Sequence, residues 1–204
     1  MTDRGSAAAG RMLIAGVGNI FLGDDGFGPE VARRLASQRL PAWARVADYG
    51  ISGMHLAYDL ANGYDTAILI DAAPRGGEPG TVTVLAVETE HRRDLTAAQG
   101  PLGASRLFDA HGMQPDVVLG VLEMLGAAGS ARIFVVGCEP ATIDYGMELS
   151  EPVANAVDEA VRVVLDLVAE AGRGRQDAGS PGAASPEIPD TAAEGASHVP
   201  WHSR

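Results

Sequence analysis

The stretch "MLIAGVGNIFLGDDGFGPE", residues 12–30, contains a short apolar run, a glycine-rich turn with two adjacent aspartates, and a proline suited to a helix start. A continuous apolar run of this length is typical of a strand that is buried on both faces. Proline is tolerated in the first turn of a helix. We therefore predict a strand over 12–17 and a helix over 29–37, which together indicate an α/β fold.

The glycines invite comparison with a dinucleotide-binding loop, but the details argue against one. If Gly16 and Gly18 are the first two glycines of that fingerprint, Phe21 stands where the third is needed for close packing. The next predicted strand ends at Asp48, farther along than the usual spacing of about 20 residues to a ribose-binding acid. Two aspartates would also repel a pyrophosphate. A nucleotide-binding domain is therefore the least favoured class.

Strands and helices continue to alternate along the chain. We predict strands at 44–50, 66–71, 80–87 and 132–137, helices at 54–62, 115–127 and 151–172, and a loop with one helical turn at 88–110. Strand 80–87 should run antiparallel, because a parallel crossover needs about a dozen residues or more. The last helix carries an apolar stripe at 153, 157, 161, 164, 165 and 168. The expected fold is a three-layer sandwich, with a twisted, mainly parallel sheet of about five strands between helices on both faces.

The length and composition indicate one domain. With 204 residues and 46% hydrophobic content, the chain can bury a single core. We predict a flexible N-terminus at 1–11, the α/β domain at 12–172 and a disordered tail at 173–204, which is rich in Gly, Pro, Ala and Ser. No run approaches the about 20 apolar residues of a membrane span, and no secretory signal is evident. We expect a cytoplasmic protein without a membrane partner.

The charged residues exclude several classes of function. A formal net charge of −12 argues against nucleic acid as a partner. All 15 basic residues are arginine, so neither a Walker A lysine nor a Schiff-base lysine is available. The segment "GISGM" around Ser52 breaks the G-x-S-x-G spacing of a serine hydrolase.

Three side chains could together form a metal site. One of Asp24 and Asp25 could cap a helix, but the second carboxylate would face the crevice beyond the carboxyl ends of the strands, where open α/β sheets bind ligands. Asp71 ends another predicted buried strand, and His111 precedes a predicted helix. Considered separately, Asp71 would be interpreted as a turn residue and His111 as a structural or exposed histidine. Together, two carboxylates and an imidazole suit Zn²⁺, Ni²⁺ or Mn²⁺.

Several segments also stand in a family-specific order. They are "LIAGVGNIFLGDDGFG", "DYGISGMHL", "AILIDAA", the histidine of "DAHGM", and "FVVGCEPATIDYGMELSEPV" followed by the last helix. In this order and spacing, over most of 12–171, the chain resembles the hydrogenase maturation endopeptidases. The resemblance implies that Asp25, Asp71 and His111 form a metal-contacting catalytic triad, although glutamate is frequent in the family at the position of Asp25. It also implies that Asp48, Gly50 and Gly53, in "DYGISG", help to recognise the substrate.

The function implied by this resemblance is removal of the C-terminal extension of a nickel-loaded hydrogenase large-subunit precursor, which itself supplies the nickel. The ion would either assist hydrolysis directly or serve recognition only, with Asp24 or Glu139 activating water. A non-catalytic metal-binding or chaperone-like module for hydrogenase assembly is the alternative. A cysteine protease would need Cys138 to meet His111.

The remaining cysteine and histidines carry less weight. We expect Cys138 to be a small buried apolar side chain, and as a lone cysteine it fits a reducing compartment. His55 and His91 are expected to face solvent. His198 and His202 fall in the predicted tail and receive no function.

Overall fold

A computed structural model of the protein describes residues 10–61, 63–87 and 131–178. The strands of these ranges are β1 Met12–Val17, β2 Ala44–Gly50, β3 Thr66–Ala72, β4 Val82–Val87 and β5 Arg132–Cys138. The helices are α1 Phe27–Leu35, α2 Gly53–Ala61 and α3 Glu151–Ala178, and a 3₁₀ turn, Gly23–Gly26, precedes α1.

The strands form a five-stranded sheet in the order β2-β1-β3-β5-β4. Strands β2, β1, β3 and β5 are parallel, and β4 pairs antiparallel with β5. The prediction for β4 is therefore confirmed, because the short connection after β3 cannot carry a parallel crossover. Both β1 and β3 are buried along their whole length, as their apolar sequences require.

Helices cover both faces of the sheet. On one face, α1 and α3 pack with Ile14 and Ile68 in a cluster that includes Val31 and Val157. On the other face, Leu56 and Leu60 of α2 pack with alternate residues of the same strands, including Leu13 and Leu69. Successive strand side chains point to opposite faces, so each central strand contributes to both cores. The three-layer α/β architecture is as predicted.

The glycines of the β1–α1 connection allow close packing and a tight turn. A Cβ atom on Gly28 would collide with the carbonyl oxygens of Val17 and Ile70, and one on Gly16 would lie 2.5 Å from the Gly28 carbonyl oxygen. Gly18 has φ 131°, a conformation that side chains disfavour. These positions need glycine to bring α1 onto the sheet, which explains the glycine content without a bound phosphate.

Ordered structure extends a few residues beyond the predicted limits of the domain at each end. Helix α3 continues past residue 172 to Ala178, so residues 173–178 are helical rather than part of a disordered tail. The Arg175 guanidinium lies 4.5 Å from the centre of the Trp43 ring, which anchors these last turns. At the other end, Arg11 was assigned to the flexible N-terminus, but its N–H donates to Asp65 at 2.6 Å.

Several predictions lie outside the described residues. They are the loop at 88–110, the helix at 115–127, most of the N-terminal segment, and the tail from residue 179. No helix in the described ranges combines the length and apolar character needed to cross a membrane.

Candidate active site

The loops after β1 and β3 bring two of the predicted site residues to the same edge of the sheet. Asp25 lies in the 3₁₀ turn that follows β1, and Asp71 stands near the end of β3. Strands β1 and β3 are parallel neighbours, so their carboxyl ends meet at one edge. In open α/β sheets this edge is where ligands bind.

Asp25 is held in position by a backbone donor. The N–H of Asn19 donates to its Oδ2 at 2.7 Å, and the residue as a whole is half-buried. Burial raises the pKa of Asp25, and the hydrogen bond from Asn19 opposes that rise only in part. The carboxylate is therefore oriented and more basic than an exposed aspartate.

Asp71 is almost completely buried, with 4% of its surface exposed. Burial raises the pKa of Asp71 well above its usual value, the negative charge of Asp25 raises it further, and a hydrogen bond from the Ala72 backbone opposes the rise. The two carboxylates are thus close enough for their charges to interact. Two neighbouring carboxylates withdrawn from water favour either a shared proton or a bound cation.

The third member of the predicted triad, His111, lies outside the described residues, so its place beside the carboxylates stays a prediction. Within the ranges that the structure describes, no group of three or more metal-ligating side chains occurs. Asp25 and Asp71 would supply two oxygen ligands, and a histidine nitrogen would complete a donor set that Ni²⁺ or Zn²⁺ accepts.

Asp24 has a structural role that the sequence did not reveal. It is fully buried, and its Oδ2 accepts hydrogen bonds from the backbone N–H groups of Ala141 at 2.8 Å and Thr142 at 3.0 Å. Ser150, just before α3, donates its N–H to Oδ1 at 2.6 Å and its hydroxyl to Oδ2 at 2.8 Å. Asp24 therefore ties the β1–α1 turn to the β5–α3 loop. The expected cap on its own helix is absent, because α1 has no side-chain cap hydrogen bond.

These contacts also determine the protonation of Asp24. Burial raises its pKa, but the hydrogen bonds from Ser150, Thr142 and Ala141 together outweigh burial and leave the pKa below its usual value. A carboxylate with a lowered pKa and four hydrogen-bond donors is poorly suited to accept a proton from water. The structure disfavours the alternative in which Asp24 activates water.

Glu139, the other alternative base, organises the loop that follows β3. Its carboxylate accepts the backbone N–H groups of Arg75 at 2.8 Å and Gly76 at 3.0 Å. Burial raises the pKa of Glu139, but the backbone donors of Arg75, Gly77 and Gly76, with the Arg75 charge, hold it below the usual value. Glu139 is therefore also a weak candidate for the base.

The predicted recognition element runs from the end of β2 to the start of α2 and contacts the β1–α1 loop. Asp48 accepts the backbone N–H of Gly50 at 2.8 Å, and the Gly50 carbonyl accepts the N–H of Gly18 at 3.0 Å. Gly50 has φ 50°, and Gly53 is buried at the start of α2. Asp48 and Gly50 thus border the β1–α1 loop, and contact of Asp48, Gly50 and Gly53 with a substrate stays a prediction.

The lone cysteine is inert in this environment. Cys138 is fully buried at the end of β5, as predicted. Burial, followed by the charges of nearby carboxylates, raises the pKa of Cys138 to about 12. A thiol that stays protonated at neutral pH is a poor nucleophile, which argues against a cysteine protease. His55 is exposed as predicted, whereas His91, His198 and His202 lie outside the described residues.

The fold and the site define a class: a three-layer α/β protein with two electrostatically coupled carboxylates at the carboxyl edge of its sheet. A family model described as HycI, hydrogenase maturation protease, matches residues 29–167. The chain therefore belongs to the hydrogenase maturation protease family, whose members are hydrolases. The resemblance drawn from the sequence motifs is confirmed.

Three similar proteins match this chain over nearly their whole length. A putative hydrogenase maturation protease of Methanocaldococcus jannaschii is 33% identical over 158 residues, which cover 76% of this chain and 94% of the relative. The solved structure of the hydrogenase maturating endopeptidase HybD from Escherichia coli is 28% identical, with a TM-score of 0.62 over 79% of this chain and 94% of HybD. The hydrogenase 2 maturation peptidase from a Thaumarchaeota archaeon is 32% identical, with a TM-score of 0.58 over 78% of this chain and 98% of that structure.

Proposed function

We propose that the protein is an endopeptidase that removes the C-terminal extension of a nickel-loaded hydrogenase large-subunit precursor. Membership of the family supports the reaction class. The observation that supports a metal-loaded substrate is the pair Asp25 and Asp71: burial raises the pKa of each carboxyl, and the charge of Asp25 raises the pKa of Asp71 further. A cation that arrives with the substrate would stabilise the ionised forms of both carboxylates.

Recognition of nickel follows from the electrostatics of the pair. Each ionised carboxylate is destabilised by burial, and a divalent cation would neutralise both charges at once. In the proposal, Asp25, Asp71 and His111 occupy coordination positions that the precursor leaves open on its nickel ion. A nickel-free precursor would leave the carboxylates unpaired and would therefore bind more weakly. Loading with metal would thus precede cleavage.

Hydrolysis also needs a group that takes a proton from the attacking water and returns it to the leaving amine. Asp24 and Glu139 have lowered pKa values and occupied lone pairs, so neither is assigned this role. The proposal instead assigns proton transfer to a carboxylate oxygen of Asp25 or Asp71 that is not coordinated to nickel, with Asn19 orienting Asp25. The nickel ion, when bound, would polarise the scissile carbonyl or lower the pKa of a water molecule.

The test is to incubate the purified protein with nickel-loaded and nickel-free precursor and to follow the mass of the precursor by intact-protein mass spectrometry. We expect loss of the extension only from the loaded form, and none with Asp25→Asn, Asp71→Asn or His111→Ala. Asp158→Asn is the matched control, because this side chain is 84% exposed on α3.

The possible outcomes separate the alternatives. Equal cleavage of both precursor forms would contradict gating by nickel. Tight binding of the loaded precursor without any cleavage would support a non-catalytic metal-binding or chaperone-like module instead. Loss of cleavage in Asp158→Asn as well would point to an effect on folding.

A further inference from the structure

Five large apolar side chains are exposed on the two loops that Asp24 joins. They are Ile20 and Phe21 in the β1–α1 loop and Ile143, Tyr145 and Met147 in the β5–α3 loop, here called the apolar platform. Tyr145 is 94% exposed and Met147 70%, whereas the most exposed large apolar side chain elsewhere in the described ranges, Tyr58, is 65% exposed. Contiguous exposed apolar surface is typical of an interaction site.

The platform is rigid, because backbone hydrogen bonds join its two loops. Leu22 and Gly146 form a parallel bridge, the N–H of Gly146 donates to the Phe21 carbonyl at 3.0 Å, and that of Gly23 donates to the Gly146 carbonyl at 2.8 Å. The four hydrogen bonds to Asp24 reinforce this junction. The backbone that carries the apolar side chains is therefore already in place for a partner, so the loops need not be ordered on binding.

The charges around the platform restrict its occupant. The segments 18–30, 48–53 and 139–151, which form this edge of the sheet, contain no arginine, lysine or histidine. Their exposed acidic residues are Asp48, Asp144, Glu148 and Glu151. Asp24 and Glu139 are buried, and Glu30 is paired with Arg33 and Arg34, which line a neighbouring cavity. A second copy of this chain would place like charges opposite each other on such a face, and an anionic membrane would be repelled. The acidic border instead complements a partner with basic groups.

The platform shares a loop with the candidate active site. Asn19, next to Ile20, donates its N–H to Asp25 in the same loop, and Ile20 and Met147 border, together with Asp48, the same neighbouring cavity of about 500 Å³. A polypeptide lying across the platform would therefore pass close to the loop that carries Asp25 and to Asp48 of the predicted recognition element.

We propose that the apolar platform docks a segment of the precursor polypeptide with apolar side chains flanked by basic residues, and holds it while the bond beside Asp25 and Asp71 is cut. This inference rests on the proposed function. Residues of the platform are positioning residues for the substrate, so they govern its affinity more than the chemical step. Loss of a platform aromatic should raise KM and leave kcat nearly unchanged.

The experiment compares Tyr145→Ala with the matched control Tyr58→Ala, which removes an exposed tyrosine from α2, in steady-state cleavage of the nickel-loaded precursor. We expect KM to rise by about tenfold or more in Tyr145→Ala, as at interface hot spots, with kcat within about twofold of wild type. The double variant Tyr145→Ala/Met147→Ala should raise KM further, and Tyr145→Phe should restore it. Added salt should raise the wild-type KM, because salt screens the acidic border.

A thermal melt shows whether each variant is folded; since these side chains are exposed, the melting temperatures should match that of the wild type. Wild-type cleavage with an unchanged KM in both Tyr145→Ala and the double variant would overturn the platform and leave the proposed function standing. A wild-type protein that neither binds nor cuts the precursor would overturn the proposed function, and the platform with it. An equal rise in KM in Tyr58→Ala would also contradict a specific platform.

Discussion

Replacement of Asp24 should destabilise the protein far more than its position in a surface turn suggests. The carboxylate is fully buried and accepts hydrogen bonds from the backbone of Ala141, Thr142 and Ser150 and from the Ser150 hydroxyl. Asp24→Ala leaves these donors without their acceptor. An unsatisfied buried donor costs about 1–3 kcal/mol, and water entering the vacated space recovers part of that, so we expect a total loss of about 4 kcal/mol.

Two milder variants show how much of this stability loss comes from individual hydrogen bonds to Asp24. In Asp24→Asn the amide oxygen can replace Oδ2 and keep three donors, but the amide nitrogen then faces the Ser150 N–H. We expect Asp24→Asn to lose about 2 kcal/mol and Ser150→Ala, which removes one hydroxyl donor, about 1 kcal/mol. Because Ser150 contacts Asp24 directly, the double variant should lose less than the sum of the two single losses.

The stabilisation of the folded protein by Asp24 should decrease at low pH. The folded-state pKa of Asp24 lies below the reference value of 3.8, so its stabilisation is present above pH 3.8 and is lost as the pH falls through the folded-state pKa. The difference in stability between wild type and Asp24→Asn should therefore shrink on acidification below pH 3.8.

The assay is urea unfolding followed by circular dichroism, with equal m-values as the check that the unfolded states match. Asp158→Asn serves as the exposed control. A stability loss below about 1 kcal/mol for Asp24→Ala would refute the assigned role of the carboxylate, since it would mean that the donors find equivalent partners.

Three further changes test other parts of the structure. Burial and the charge of Asp25 raise the pKa of Asp71, so Asp71→Asn should raise the free energy of unfolding of the metal-free protein at neutral pH. The gain should grow as the pH rises above 3.8, and a stability loss in urea titrations at pH 7 would contradict this. The Cys138 thiol is fully buried with a pKa of about 12, so the native protein should resist thiol alkylation and Cys138→Ala should keep its cleavage activity. Inactivation by alkylation would instead support the cysteine-protease mechanism. Arg175→Ala should cost about 1 kcal/mol through loss of the contact with the Trp43 ring, whereas Arg173→Ala, at an exposed position, should cost little in the same urea assay.

The carboxylate pair illustrates a conflict between stability and function. Burial disfavours the ionised forms of Asp25 and Asp71, and the charge of Asp25 adds to the effect at Asp71, although apolar side chains of similar size would pack there without such a penalty. Proteins retain destabilising groups of this kind where function needs them. The structural carboxylates Asp24 and Glu139 show the opposite pattern, since backbone donors lower the pKa of each.

The sequence predicted those features that depend on local pattern. The bounds of β1 and β2 match the prediction because an apolar or alternating run ends at a glycine in each case. The placement of Asp25 and Asp71 at one edge of the sheet could be predicted, because Asp25 follows β1, Asp71 is near the end of β3, and these parallel strands share their carboxyl edge.

Features that depend on contacts between distant segments could not be predicted. The donors to Asp24 come from residues 117 to 126 positions away in the chain, so only the folded protein shows why this aspartate is needed. The end of α3 depends on the contact between Arg175 and Trp43, whereas the content of Gly, Pro, Ala and Ser after residue 172 predicted a tail.

The central claim is that Asp25, Asp71 and His111 bind a single nickel ion presented by the precursor. The most direct measurement is anomalous diffraction at the nickel edge from crystals of the protein in complex with the nickel-loaded precursor. We predict one nickel peak with an oxygen of Asp25, an oxygen of Asp71 and a nitrogen of His111 each at about 2.0–2.2 Å. A nickel peak elsewhere on the molecule, or one that lacks any of the three side chains as a ligand, would contradict the claim.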